Sequence, residues 1–146
     1  MITHLSRSEQ ETIAIASEFA KTLQTGDVVA LFGGLGMGKT AFVRGLAVGL
    51  GLDSEQVCSP TFSIVNEYRA PGVTTLYHFD MYRITGQDAL YCTGFYDYLG
   101  GGDILAIEWS ENITGALPET VISVTISPGQ GQSERVISIS AKGMTV

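Results

Sequence analysis

VVALFGGLGMGKTAFVRGLAVGLG, residues Val28 to Gly51, passes from an apolar run through a glycine-rich turn into a segment with helical periodicity. Val28-Val29-Ala30-Leu31-Phe32 has the length and β-branched content of a buried strand. Gly33, Gly38, Lys39 and Thr40 then satisfy the spacing G-x-x-x-x-G-K-[ST]. Phe42, Val43, Leu46, Ala47 and Leu50 recur at helical spacing, and Gly51 is placed to end that helix. Strand, glycine loop and helix in this order predict a phosphate-binding loop, and with it a P-loop nucleotide-binding protein. The plainer alternative is a glycine-rich β–α turn carrying a surface lysine.

The residue types suit an anion. Backbone amides can wrap a phosphate only where side chains do not block the approach, which glycine allows. A helix starting near Lys39 aims its unpaired amides and positive dipole end at the same place. The cradle is expected from Gly33, Gly36, Met37, Gly38, Lys39, Thr40 and Ala41. Lys39 adds a mobile cation for the β and γ phosphates, and the Thr40 hydroxyl can ligate magnesium.

A chain of 146 residues is expected to form one domain, residues 1–146, large enough to bury a core. Hydrophobic residues make up 45% and charged residues 16%, with no apolar run of membrane-spanning length. MITHLSRSEQET lacks a cationic segment followed by an apolar one, so no secretory signal is read and a cytoplasmic location is expected. Cys58 and Cys92 match no metal or redox spacing and are expected to be reduced packing residues. The net charge of −7 weighs against broad electrostatic capture of nucleic acid. DNA and membrane contacts are not expected, and RNA would be reached through a partner.

Ser6-Arg7-Ser8-Glu9 reads as a capping box for a helix running to about Thr25, with Gly26 at its end. Ser59-Pro60-Thr61 predicts a turn or extended loop, because Pro60 disfavours helix at Ser59. Phe62–Arg69 and Thr74–Asp80 read as strands joined through Ala70-Pro71-Gly72 as a hairpin. Gly86–Tyr98 reads as one or two short helices broken at Gly94, and Ser110–Leu117 as a short helix or loop. Val121–Ser127 and Arg135–Ala141 read as strands around the turn-rich Pro128–Gly131, an antiparallel hairpin extending a parallel core. The expected class is α/β: a P-loop NTPase-like three-layer sandwich, its central sheet mostly parallel with antiparallel hairpins.

DILAIEW, Asp103–Trp109, is a second near-continuous apolar strand, and it ends in an acid. Ligands in parallel sheets gather at the carboxyl ends of strands, so Glu108 is placed to order magnesium or its water shell. A glutamate simply facing solvent at a strand end is the alternative.

Four segments stand in order: the Gly33–Thr40 loop, Ser59-Pro60-Thr61-Phe62, His78-Phe79-Asp80-Met81-Tyr82-Arg83, and Glu108-Trp109. Together they closely resemble the TsaE (YjeE) family of small bacterial P-loop ATPases, over nearly the whole chain. The resemblance implies participation in making threonylcarbamoyladenosine in tRNA. It implies binding to the TsaB–TsaD heterodimer, with hydrolysis of ATP and Mg2+ as cofactor supporting repeated turnover of that complex. tRNA is then met only indirectly, through those partners. It further implies that Lys39 and the loop amides hold the phosphates and that Thr40 and Glu108 organise magnesium. Thr61 is implied near the γ-phosphate in a switch-like loop. Asp80 becomes a candidate for the metal shell, the attacking water or partner-dependent activation, or else a carboxylate that pins a loop. His78, Tyr82 and Arg83 fit either loop packing or partner contacts, with packing favoured for His78 and Tyr82. Trp109 covers the nucleotide, packs the switch region or takes a core position. Arg83 is a better finger candidate than Arg44, which is expected to lie too far away.

One departure from the family pattern is Gly34, where members commonly carry an acid. That removes a carboxylate expected near the γ-phosphate and leaves the cradle intact. Met37 replaces a usual small residue. Two other functional classes fit the same motifs: a nucleotide-gated assembly factor and a small-molecule kinase. The kinase lacks a recognisable acceptor lid here.

Overall fold

The computed structural model describes residues 1–60 and 64–143. Thr61 and Phe62 of the expected switch loop lie outside the described residues. Seven described strands, β1 Ile2–Ser6, β2 Val28–Phe32, β3 Val65–Tyr68, β4 Leu76–Asp80, β5 Ile104–Glu108, β6 Ile122–Pro128 and β7 Arg135–Ile139, form one sheet. Their spatial order is β1-β7-β6-β2-β5-β4-β3. The middle pairings, β6 with β2, β2 with β5 and β5 with β4, are parallel. The flanks, β3 on β4, β7 on β6 and β1 on β7, are antiparallel. The two apolar runs occupy the sheet centre, where every residue of β5 and the first four of β2 are buried. Such strands have no polar face to offer water, so both faces must be covered.

Helices α1 Glu9–Ala20 and α2 Lys39–Leu50 cover one face, packing Ala16, Phe42, Val43 and Leu46 against Leu31, Ala106 and Val124. The short α3 Gln87–Cys92 and the 3-10 segments Phe95–Tyr98 and Ser110–Ala116 cover the other with Leu90, Phe95 and Ile113. The result is the expected three-layer α/β sandwich. No described helix is long and apolar enough to cross a membrane.

Where α1 crosses α2, the backbones nearly touch. A Cβ at Gly45 would lie 2.4 Å from the Ile13 carbonyl oxygen, and one at Gly49 2.3 Å from that of Ser17. Both distances are far inside van der Waals contact, so only glycine permits this crossing.

Ile2–Ser6, unmarked by any sequence signal, pairs with Arg135–Ile139 as an edge strand. Three expectations change. The helix cap is Ser8, not Ser6, with the Glu11 amide donating to the Ser8 hydroxyl and the Glu11 carboxylate accepting from the Arg7 amide. The helix ends at Ala20 rather than near Thr25, because Thr22 and Leu23 turn back in i→i−3 bonds to Phe19 and Ala20. Cys58 and Cys92 are free as expected, yet both are exposed rather than packed. The break at Gly94, the Ala70–Gly72 hairpin and the end of α2 at a left-handed Gly51 follow the sequence reading.

Candidate functional site

Parallel strands β2, β4 and β5 all deliver their C-terminal ends to one edge of the sheet. There β2 runs into Gly33, while Asp80 and Glu108 are direct register partners on β4 and β5. A cleft of about 570 Å³ opens above them, lined among others by Gly36, Lys39, Thr40, Asp80, Glu108 and Trp109.

The loop that floors the cleft is bare. Gly38 caps α2 in the left-handed region at φ 103°, with no side chain hydrogen-bonded over the helix start. A Cβ added at Gly36 or Gly38 would meet nothing within 4 Å, so that space stands open to an incoming group. Gly33 is constrained the other way, since its Cβ would lie 2.6 Å from the Ile126 carbonyl oxygen. The first amides of an α-helix lack internal partners, and with no capping side chain they suit an oxyanion.

Lys39 is 5% exposed, its Nζ donating to the Gly33 carbonyl at 2.6 Å and lying 3.3 Å from the centroid of the Trp109 ring. Burial pushes its ammonium below the usual lysine range, opposed by the charges of Glu111, Glu108 and Asp80. Trp109 takes a left-handed backbone at φ 59°, an unfavourable geometry for a bulky residue, and its ring also meets Tyr82 at 4.9 Å.

The acids differ in what they hold. Glu108, 4% exposed, accepts from the Thr40 hydroxyl at 2.9 Å and sits 2.5 Å from Nε2 of His78, both on Oε2. His78 Nδ1 in turn lies 2.9 Å from the Tyr68 hydroxyl. Asp80 accepts from the Ser59 hydroxyl at 3.2 Å and from the Tyr82 amide at 2.9 Å, so both its oxygens tie loop segments together.

Thr40 and Glu108 offer hard oxygen donors side by side, while no group of three or more His, Cys, Asp or Glu able to hold a metal occurs among the described residues. That donor set fits magnesium, which uses one or two protein oxygens and completes its shell with phosphates and water. It does not fit a metal caged by protein alone.

The expected residues Gly36, Met37, Gly38, Lys39, Thr40, Ala41, Asp80 and Glu108 all line this cleft. Gly33 reaches it through its carbonyl on Lys39, and Thr61 lies outside the described residues. Arg83 lines it, and so does Arg44, whose expected distance from the site is corrected: it bridges Glu9 and the Val57 carbonyl at the cleft wall. Two features escaped the sequence. The Glu111 carboxylate accepts from the Gly33 amide at 3.3 Å, bringing an acid to the loop although position 34 is glycine. A second cleft of about 540 Å³ shares Gly36, Met37, Gly38 and Ala41, and is bounded by Ser8 and Thr12 at the α1 start, Gln132 of the β6–β7 turn and Arg135 of β7. No motif marks either, because each depends on residues far apart in the chain.

The family model described as "Threonylcarbamoyl adenosine biosynthesis protein TsaE" matches residues 6–137. The chain is 40% identical over 134 residues to the tRNA threonylcarbamoyladenosine biosynthesis protein TsaE of Bacillus subtilis, spanning 92% of this chain and 82% of that protein. It is 38% identical over 122 residues to the protein of the same name from Treponema pallidum, spanning 84% and 88%. The fold is similar to the crystal structure of Bacillus subtilis YdiB, with a TM-score of 0.77 and 35% identity over 97% of this chain and 86% of that one. A match that runs through glycine loop, strand tips and flanking sheet alike means that the chain belongs to the TsaE family of tRNA threonylcarbamoyladenosine biosynthesis proteins.

Proposed function

We propose that the chain binds ATP with magnesium and hydrolyses it slowly alone, and faster when docked on a TsaB–TsaD complex whose turnover it supports. The observation that carries this reading is the Thr40–Glu108 hydrogen bond, which joins a strand-tip acid to a helix start left uncapped by any side chain, in one cleft with Lys39. Phosphate oxygens would lie on the amides of Gly36 to Ala41. Lys39 would exchange the Gly33 carbonyl and the Trp109 face for the β and γ phosphates, regaining a full counter-charge for its buried ammonium. Thr40 and Glu108 would hold magnesium, which supplies charge neutralisation at the transferring phosphoryl group. The nucleoside has room in the adjoining cleft beyond Gly36, between Thr12 and Gln132. The tRNA would be met through the partners, in the cytoplasm.

Catalysis of this kind is positioning and electrostatics; Arg44 is engaged by Glu9 and the Val57 carbonyl, which leaves Arg83, also in the cleft lining, as the better finger candidate. One observation favours a second reading, a nucleotide-gated assembly factor. Both Asp80 oxygens accept hydrogen bonds, from Ser59 and Tyr82, which supports a loop-tying role for that carboxylate.

The deciding experiment supplies purified TsaB and TsaD counterparts and follows ATP consumption and tRNA modification together. Lys39→Ala is expected to lose nucleotide binding and both activities. Retained ATP cleavage in that variant refutes the ATP site. A Glu108→Ala protein that binds ATP, cleaves none and still supports many rounds of modification selects the assembly-factor reading.

A further inference from the structure

We propose that His78 is a positioning residue for Glu108 and that, through Tyr68, it couples occupancy of the site to the Cys58–Ser59 segment. This rests on the reading that Glu108 helps hold a nucleotide-bound cation.

His78 stands mid-strand on β4, fully buried, paired in register with Ala106 on β5 and Asn66 on β3. An imidazole in such a place needs partners for both ring nitrogens, and it has them: Glu108 on Nε2 and Tyr68 on Nδ1. The Tyr68 hydroxyl is shared: it lies 2.9 Å from Nδ1 and 3.2 Å from the Cys58 carbonyl, and it accepts from the Cys58 amide at 3.4 Å, while Nε2 faces the Glu108 carboxylate. Burial pushes the Tyr68 phenol above its usual range, so it keeps its proton throughout neutral pH.

Two consequences follow from this geometry. His78 and Thr40 both engage Oε2 of Glu108, so Oε1 carries neither contact and the carboxylate plane is set from behind. Partners of this kind orient a metal-binding oxygen without touching the metal. Glu108, His78, Tyr68 and Cys58 are thus joined in one continuous hydrogen-bonded chain ending on a buried carboxylate, and bonds in such chains strengthen one another. A cation at Glu108 would draw charge from that end and so alter each bond back to Cys58. Cys58 lies three residues before Thr61, and its carbonyl is also held by the Asn66 amide at 3.0 Å. Neighbouring Ser59 is tied to Asp80, across the same cleft. The segment leading to Thr61 is therefore tied to both acids, to Asp80 directly and to Glu108 through Tyr68 and His78.

The test uses the full chain with Cys92→Ser, leaving the exposed Cys58 thiol as a reporter. Two readouts are taken for the parent, His78→Gln and Tyr68→Phe, each checked for folding by circular dichroism. One is binding of a non-hydrolysable ATP analogue across a magnesium titration. The other is the alkylation rate of Cys58 with and without magnesium and the analogue. The parent's Cys58 rate is expected to change on binding. His78→Gln should raise the magnesium requirement about tenfold, while magnesium-free binding stays at the parent level. Tyr68→Phe should leave that requirement within about threefold and abolish the Cys58 response.

Variants that match the parent in both readouts overturn the inference. So does a loss of binding that is equal with and without magnesium, which marks mere structural damage. Should His78→Gln not fold, Tyr68→Phe decides alone, and a retained Cys58 response refutes the coupling. A parent whose Cys58 never responds refutes it too. A parent that binds no magnesium nucleotide instead overturns the proposed function, and is recognised by failing before any variant is made.

Discussion

Gly36 and Gly38 in the glycine loop face open space, whereas Gly45 and Gly49, about two to three turns further on, lie pressed against the backbone of α1. The same residue type, within fourteen positions of sequence, serves opposite ends. In the loop the missing side chain leaves room for something outside the molecule. In the helix seam it leaves room for the molecule itself. Function and stability should therefore separate cleanly between the two regions, and they can be tested apart.

The largest effect is expected from Lys39→Ala. Removing the one lysine in the cleft should weaken nucleotide binding about a hundredfold, near 3 kcal/mol, by calorimetry. Thermal stability should hold or rise slightly, because a buried ammonium costs free energy until an anion arrives. A large fall in melting temperature would show that the loop is part of the structural core after all.

Gly45→Ala should do the reverse. Its Cβ would meet the Ile13 carbonyl and the Ala16 Cβ, forcing the helices apart at about 2 kcal/mol, read by urea unfolding. Nucleotide affinity per folded molecule should be unchanged. Equal losses in both measurements would dissolve the distinction between seam and loop.

Gly38→Ala is the sharper version at the loop. It meets no neighbour, so its cost is the left-handed backbone alone, about 1–2 kcal/mol. Its effect on binding should exceed that of Gly45→Ala, since the strained residue caps the helix start that would hold the phosphate. The smallest effect is expected from Arg44→Ala, which spans the two regions through Glu9 of α1 and the Val57 carbonyl. An ion pair whose glutamate is 67% exposed stabilises by less than about 1 kcal/mol. A bigger loss of binding than of stability there would assign Arg44 to the ligand rather than to the helix contact.

Much of the site could be read in advance because its parts are local. A strand, a glycine loop and a helix start are consecutive in sequence, and their residue pattern announces each of them. Glu108 was legible for a related reason, since an apolar run ending in an acid carries its own position along the strand. The N-terminal edge strand was not legible. ITHLS is too short and too mixed to announce a partner, and its pairing with Arg135–Ile139 joins opposite ends of the chain. The helix cap shifted by two residues because Ser6 and Ser8 both suit the role, and only the course of β1 selects between them.

By itself, then, the sequence determined the buried strands of the sheet centre, the bare loop and the order in which the chemical groups arrive. It did so because strand periodicity, glycine backbone freedom and motif spacing are properties of neighbouring residues. The tertiary structure alone decided that Lys39 rests on Trp109, that Glu111 reaches Gly33, and that His78 stands behind Glu108 rather than in a loop. Each of those contacts closes over thirty or more residues, and is made only when strand order and register bring distant side chains to the same buried point.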